Sequence, residues 1–107
     1  MLELTFYVGQ SLDKNGTPMA ENFVLAGRNK AILHLVEEFG GFTSHFGVGG
    51  WRNSAGVVMV ENSWVIKVVA DKLIKNQAEN VAKFLRKTFE QDEVMYTLTE
   101  AGQKFSV

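Results

Sequence analysis

The segment 42–69 constrains the fold of this chain more than any other stretch. Its composition predicts two long strands joined by a turn at Asn53–Gly56, because Asn and Gly tolerate the positive φ angles of tight turns. Both tryptophans and four of the ten glycines lie within it. The polar group Glu61–Ser63 interrupts an otherwise apolar second arm and predicts a bulge or kink near Asn62. Any functional site is therefore expected in this hairpin.

Length and composition predict one globular domain over residues 1–107. An apolar share of 46% with 21% charged residues is ordinary for a globular protein and argues against disorder. The net charge is -1 and no basic stripe is visible, so we expect no nucleic-acid partner. The absence of cysteine excludes disulfides, thiolate nucleophiles and thiolate metal sites.

The first residues favour a cytoplasmic location. Met1–Leu4 belongs to an alternating pattern and not to a basic segment followed by an apolar run, so we expect no signal peptide. The apolar runs of the chain are too short to span a bilayer, so no membrane association is expected.

Alternation of apolar and polar residues predicts four strands. Leu2–Val8 alternates strictly, which is typical of a half-buried strand. The two arms of the hairpin, 42–51 and 57–70, supply the second and third strands. Val94–Thr99 alternates again and predicts the fourth. The tail, 100–107, is expected to form an edge strand or an arm onto a neighbouring subunit.

The first helix is predicted between the first two strands. Thr17–Pro18 opens it, because Thr can accept from the free N–H groups and Pro suits the first helical position. Gly40–Gly41 ends it, and Gly27 weakens its middle and allows a break there. Its inner face comprises apolar residues at helical spacing: Leu25, Ile32, Leu35, Val36 and Phe39.

The second helix is predicted between the third and fourth strands. Asn76 and Glu79 form a capping-box-like pair at its start, and Glu90–Asp92 ends it. Its inner face comprises Ala78, Val81, Ala82, Leu85 and Phe89.

The element order β-α-β-β-α-β predicts an α+β fold. With right-handed crossovers it gives the ferredoxin-like split β-α-β sandwich, an antiparallel four-stranded sheet with two helices on one face. The other face of the sheet must meet water or a partner. Tyr7, Trp51 or Trp64, and parts of Val57–Val69 are expected there, and so apolar a face suggests burial in an oligomer.

Metal and phosphate sites are poorly supported by the sequence. His34 and His45 lie on different elements, and no carboxylate sits beside either at ligand spacing, so no metal site is expected. Gly47–Gly50 precedes a turn and not a helix, so it does not match a phosphate loop. These glycines indicate a bulge, or a place where another backbone or a ligand comes close.

Aromatic residues and one acid form the more informative set. Tyr7, Trp51, Trp64 and Glu61 can reach one region if the strands pair as predicted. A carboxylate beside aromatic faces suits a bound organic cation, because the rings attract it through cation–π interactions. The alternative interpretation is that the rings belong to a core or interface and that Glu61 is a solvated residue.

Four short segments carry a resemblance to a known family. They are the first strand with the loop after it, a glycine–aromatic–arginine turn, an acid ten residues after that aromatic, and the junction of the second helix and last strand: Phe6–Val8 with Ser11, Gly49–Arg52, Glu61 and Glu90–Val94. Their order and spacing resemble the phage S-adenosylmethionine lyases, long called S-adenosylmethionine hydrolases. Trp51 stands where the family pattern has a tyrosine, and an alignment shifted by one residue would place Asn62 at the acidic position.

The resemblance implies a specific activity. Such enzymes have the sandwich fold above, form trimers with sites between subunits, and act in the host cytoplasm as phage anti-restriction proteins. They split S-adenosylmethionine into methylthioadenosine and homoserine lactone by attack of the substrate's own carboxylate, without a cofactor or metal. On this basis Glu61 is the catalytic candidate, holding the substrate's ammonium or cationic end. The candidate substrate-binding residues are Tyr7, Gly49, Gly50, Trp51 and Ser63.

Two other functions remain open from the sequence. A binding protein on the same scaffold would sequester a nucleotide-like ligand or inhibit a host enzyme without turnover. A structural oligomer would use the aromatic sheet face as its interface and bind no ligand.

Overall fold

The computed structural model describes residues 1–72 and 75–100. In chain order the elements are β1 (Leu2–Gly9), α1 (Glu21–Phe39), β2 (Thr43–Arg52), β3 (Val58–Ala70), α2 (Lys75–Thr88) and β4 (Met95–Glu100). The predicted order of strands and helices is therefore confirmed, and the predicted tail lies outside the described residues beyond Glu100. In the described part of the chain, neither helix is long and apolar enough to cross a bilayer.

The four strands form one antiparallel sheet in the order β2-β3-β1-β4. β1 lies between β3 and β4, so the first crossover skips a position, as the split β-α-β arrangement requires. The ferredoxin-like fold predicted from the sequence is confirmed.

Alternation along the strands separates the two faces of the sheet. Even-numbered residues of β1 and β3 form cross-strand pairs on the helix side, for example Phe6 with Ile66 and Val8 with Trp64. They pack against both helices in one hydrophobic core. We call the opposite side, which carries odd-numbered residues such as Tyr7 and Ser63, the open face.

β3 runs without interruption through its polar residues, so the predicted bulge near Asn62 is wrong. Pairing with β2 keeps one register from Thr43 with Lys67 to Arg52 with Val58. The polar group needs no bulge, because Glu61 and its neighbours lie at a partly exposed end of the sheet. There, polar side chains are not forced into the core.

α1 begins later than predicted and has a different buried face. Its first residue is Glu21, because Pro18 instead forms a bridge with Leu12. Its end is as predicted, since Gly40 adopts φ 79° and donates its N–H to the Val36 carbonyl at 2.8 Å. Leu35 is buried and Phe39 packs against the core, as predicted, whereas Leu25, Ile32 and Val36, also predicted to face inward, are exposed. The other buried residues are Val24, Gly27 and Ala31.

Gly27 does not break α1 but brings it close to the core. A Cβ at this position would lie 2.8 Å from Cε1 of Phe89, which is fully buried. Close helix packing therefore requires glycine here, and this requirement outweighs its poor helix propensity.

α2 buries the face that its sequence predicts. Ala78, Val81, Ala82, Leu85 and Phe89 are all buried. The helix already includes Lys75, so Asn76 lies inside it and is not the predicted cap residue.

Gly27→Leu is expected to lower the free energy of unfolding by about 1–3 kcal/mol, because the added side chain must displace Phe89. Urea unfolding of the variant measures this change. Ala26→Leu is the matched control, since Ala26 is exposed on the same helix and should change stability by less than about 0.5 kcal/mol. Equal stabilities of the two variants would contradict the close packing at Gly27.

Candidate functional site

A cleft of about 860 Å³ lies at one end of the sheet. It forms where β1 and β2 end and β3 and β4 begin, because antiparallel neighbours place these ends together. Its wall also includes the loop after β1 and the junction between α2 and β4.

The structure places all six sequence-predicted site residues on this cleft. They are Tyr7, Gly49, Gly50, Trp51, Glu61 and Ser63. Their convergence follows from strand pairing, since Gly49 lies opposite Glu61 and Ser63 lies opposite Gly9.

Trp64 does not join this group, so its predicted place beside the other aromatic residues is wrong. It is 2% exposed and packs edge-on against Phe89, with ring centroids 6.1 Å apart. Its even position in β3 points it toward the helices, whereas Glu61 and Ser63 occupy the other parity.

Gly49 leaves part of the cleft floor free of a side chain. A Cβ on Gly49 would meet only the Ser63 Cβ, at 3.9 Å, among the described heavy atoms within 4 Å. No bulge interrupts β2 here. Of the readings that the sequence left open, the geometry favours room for a ligand.

Trp51 stands at the outer rim of the cleft, next to the hairpin turn. The turn is the predicted Asn53–Gly56, in which the Asn53 side chain accepts from the N–H groups of Ala55 and Val57, both at 3.0 Å. Gly56 has φ 80°, which explains the glycine. The indole remains 44% exposed, so its ring is available to a ligand.

Glu61 is the acid that the strand register directs into the cleft. The Leu12 N–H donates to its Oε2 at 3.0 Å, which fixes the carboxylate against the loop after β1. Asn62, the alternative acidic position one residue later, has the opposite parity and does not line the cleft. Its backbone N–H and carbonyl instead bind Ser11 Oγ and the Gln10 N–H, both at 2.9 Å.

The loop after β1 is held in shape by its own hydrogen bonds. Asp13 Oδ1 accepts from the N–H groups of Asn15 at 2.8 Å and Thr17 at 2.9 Å. The Lys14 N–H donates to the Glu90 carbonyl at 2.7 Å, which joins the loop to the end of α2. The loop is therefore a fixed wall of the cleft.

Gln91 ties the same loop to the α2–β4 junction. Its Nε2 donates to the Leu12 carbonyl at 2.8 Å and to the Phe89 carbonyl at 2.9 Å. Gln91, Gly9 and the loop after β1 were not among the predicted site residues. The predicted topology could have identified them, because the end of β1 and the start of β4 must lie at the same edge of the sheet.

Acidic residues dominate the charges around the cleft. Four acids and one lysine line it: Asp13, Glu61, Asp92, Glu93 and Lys14. The cleft is therefore suited to a cationic ligand. Within residues 1–72 and 75–100, no group of three or more His, Cys, Asp or Glu side chains is arranged to hold a metal ion.

The fold is similar to that of phage S-adenosylmethionine lyases. One, solved in complex with S-methyl-5'-thioadenosine, is 18% identical with a TM-score of 0.66, and the match covers 92% of this chain and 80% of that chain. Another, in the apo state, is 21% identical with a TM-score of 0.64, and the match covers 92% and 78%.

A second group of structures shares the same fold. CutA from Archaeoglobus fulgidus, a periplasmic divalent cation tolerance protein, is 8% identical with a TM-score of 0.63, and the match covers 98% of this chain and 88% of that chain. No protein-family model and no curated protein matches the sequence. At identities this low, the TM-scores establish a shared fold alone.

Proposed function

We propose that this protein is an S-adenosylmethionine lyase. The observation that carries the proposal is the convergence of the six residues expected from the resemblance on one acid-rich cleft. S-adenosylmethionine carries a sulfonium and an ammonium, so the charge of the cleft is complementary to it. The similarity to a lyase fold that holds a methylthioadenosine product supports the same substrate class.

The proposed reaction takes place within one substrate molecule. A carboxylate oxygen of the substrate attacks its own Cγ, the Cγ–S bond breaks, and its electron pair neutralises the sulfonium. The products are homoserine lactone and methylthioadenosine, and no proton has to be transferred. Holding the substrate with oxygen and sulfur on opposite sides of Cγ supplies the main catalytic advantage, because the reactive conformer is otherwise rare.

Different residues of the cleft bind different parts of this substrate. Glu61 holds the ammonium, which orients the amino-acid end while its carboxylate attacks. Tyr7 and Trp51 pack against the adenosine or the sulfonium, which their rings attract. Gly49 and Gly50 let the ligand approach the β2 backbone, and Ser63 lies beside Glu61 on the open face.

We also propose that the protein is a homotrimer, that each subunit is one domain, and that it acts in the cytoplasm. The end of the hairpin exposes apolar side chains on the helix side, where Val48 is 73% and Val60 64% exposed. Apolar surface of this kind favours burial against another copy of the chain. The resemblance implies trimers with sites between subunits, so such contacts are expected beside the sites.

The second candidate is a protein that binds a nucleotide-like ligand, or a host enzyme, without turnover. Trp51 favours it, because an indole stacks on a ligand but lacks the phenolic hydroxyl of the family's tyrosine. This candidate uses the same cleft and differs only in the fate of the ligand.

The purified protein, incubated with S-adenosylmethionine, is expected to produce methylthioadenosine and homoserine lactone. Liquid chromatography with mass spectrometry detects both products. Homoserine that appears before any lactone would indicate water as the nucleophile. Bound but intact substrate would support the second candidate and contradict the lyase.

Glu61→Gln is expected to reduce product formation by about 10²–10³-fold, the range typical of losing one charge-stabilising contact. The amide keeps an oxygen for the Leu12 N–H, so the fold should persist, as circular dichroism can check. Glu3→Gln is the matched control, since Glu3 pairs with Lys67 on the same sheet face but outside the cleft. Full activity in Glu61→Gln would rule out the assigned role.

The mass of the native protein, measured by light scattering during size exclusion, is expected to be about three times the 11.9 kDa of one chain. Val48→Asp and Val60→Asp should shift it toward one chain, because each places a charge in the interface. A monomeric wild type would contradict the trimer. The lyase proposal would then depend on the product assay alone.

A further inference from the structure

We infer that Gln91 supplies the second acceptor of an ammonium subsite whose first acceptor is Glu61. The subsite lies at the notch over Gly9, at the end of β1, where the Oε1 atoms of both side chains fill the space of the missing Cβ. This inference rests on the proposed function, since it assigns the end of the substrate that the notch takes. It adds Gln91 and Gly9 to the residues that determine ligand specificity.

The orientation of the Gln91 amide is set by its backbone partners. Its Nε2 lies within hydrogen-bond distance of two carbonyl oxygens, those of Leu12 at 2.8 Å and Phe89 at 2.9 Å. An amide oxygen in that position would face two acceptors, so the nitrogen must be there. Oε1 is therefore directed toward Gly9.

Gly9 marks the point where the two acceptors meet. A Cβ on Gly9 would fall 2.5 Å from Gln91 Oε1 and still closer to Glu61 Oε1. Gly9 lies within β1 and is not among the described glycines with positive φ, so its backbone could accept a side chain. The missing Cβ is needed for space and not for conformation.

The two Oε1 atoms form a pair of acceptors without a protein donor. Leu12 binds the other carboxylate oxygen of Glu61, and no hydrogen bond from residues 1–72 or 75–100 reaches either Oε1. Adjacent oxygens with partial or full negative charge repel each other, and a donor placed between them relieves this repulsion. The pair is therefore arranged for a donor that comes from outside the chain.

A primary ammonium has the chemistry that this pair requires. It carries a full positive charge and three N–H donors, so it can bind both oxygens at once. A sulfonium has no N–H group and cannot make these bonds. The notch thus selects the amino end of the ligand and leaves the sulfonium for the aromatic part of the cleft.

The test measures how strongly binding depends on the ammonium. S-adenosylhomocysteine carries the ammonium but lacks the sulfonium leaving group, so calorimetry can follow it without turnover. The reference ligand is the same molecule with hydrogen in place of the ammonium. Wild-type protein is expected to bind the first at least tenfold more tightly, the effect of one or more charge-assisted hydrogen bonds.

Gln91→Met removes the acceptor at nearly constant volume and is expected to reduce this preference about tenfold. Gln77→Met, which changes an exposed glutamine on α2 that binds Glu38, should keep the wild-type preference. A loss of affinity by Gln91→Met that is equal for both ligands would show a purely structural role and overturn the inference. The inference would also be overturned if the wild-type protein bound the two ligands equally well, or bound neither.

Gly9→Ala tests the notch without replacing either acceptor. Beyond the chain neighbours of Gly9, the three heavy atoms nearest the added Cβ belong to the side-chain ends of Glu61 and Gln91 and none to the backbone, so the protein should fold while the displaced acceptors lower the ammonium preference. A folded Gly9→Ala protein with the full preference would also overturn the inference. The product assay on wild type is independent, because a protein that prefers the ammonium but leaves S-adenosylmethionine intact retains the subsite and loses only the lyase.

Discussion

The continuous register of the β1–β3 and β2–β3 ladders is the constraint on which the rest of the structure depends. Side chains alternate between the faces of a strand, so one inserted residue would exchange every position beyond it. With no bulge, Trp64 packs in the core and Glu61, three residues away, enters the cleft. The same register places Gly49 opposite Glu61, and the missing side chain of Gly49 leaves space beside the acid. Core and candidate site are thus two consequences of one pairing.

Three parts of the chain that are distant in sequence meet around Leu12. Its N–H binds Glu61 on β3, and its carbonyl binds Gln91 after α2. The loop after β1 therefore cannot move without disturbing both groups, and Gly9 provides the space in which their oxygens approach. Local hydrogen bonds around Asp13 hold the loop, so the cleft wall is formed before a ligand arrives. Such preorganisation is what the proposed reaction requires, because that reaction depends on the conformation of its substrate.

The sequence was sufficient for the fold because strand alternation and element order are local signals. It was insufficient where tertiary packing decides. Polarity at Glu61–Ser63 suggested a bulge, but this end of β3 is partly exposed and therefore tolerates polar residues without one. In α1 the largest apolar side chains suggested the inner face, whereas contact with Phe89 selects the small residue Gly27. The site was predictable on the hairpin, where the pattern is continuous. Gln91 was not, because its role depends on two carbonyls that only the folded chain brings together.

In the proposed lyase, two separate regions of the cleft would let a small chain without cysteine act on a reactive cation. Acids are concentrated at the end where β1 meets the α2–β4 junction, and the exposed indole lies across the cleft on the hairpin. A ligand with an ammonium at one end and an aromatic base at the other can satisfy both regions only when its connecting chain is held between them. In S-adenosylmethionine, the bond that the proposed reaction breaks lies in that connecting chain. Binding the two ends would therefore restrict the conformation of the reacting atoms, and the chemistry needs no nucleophile from the protein.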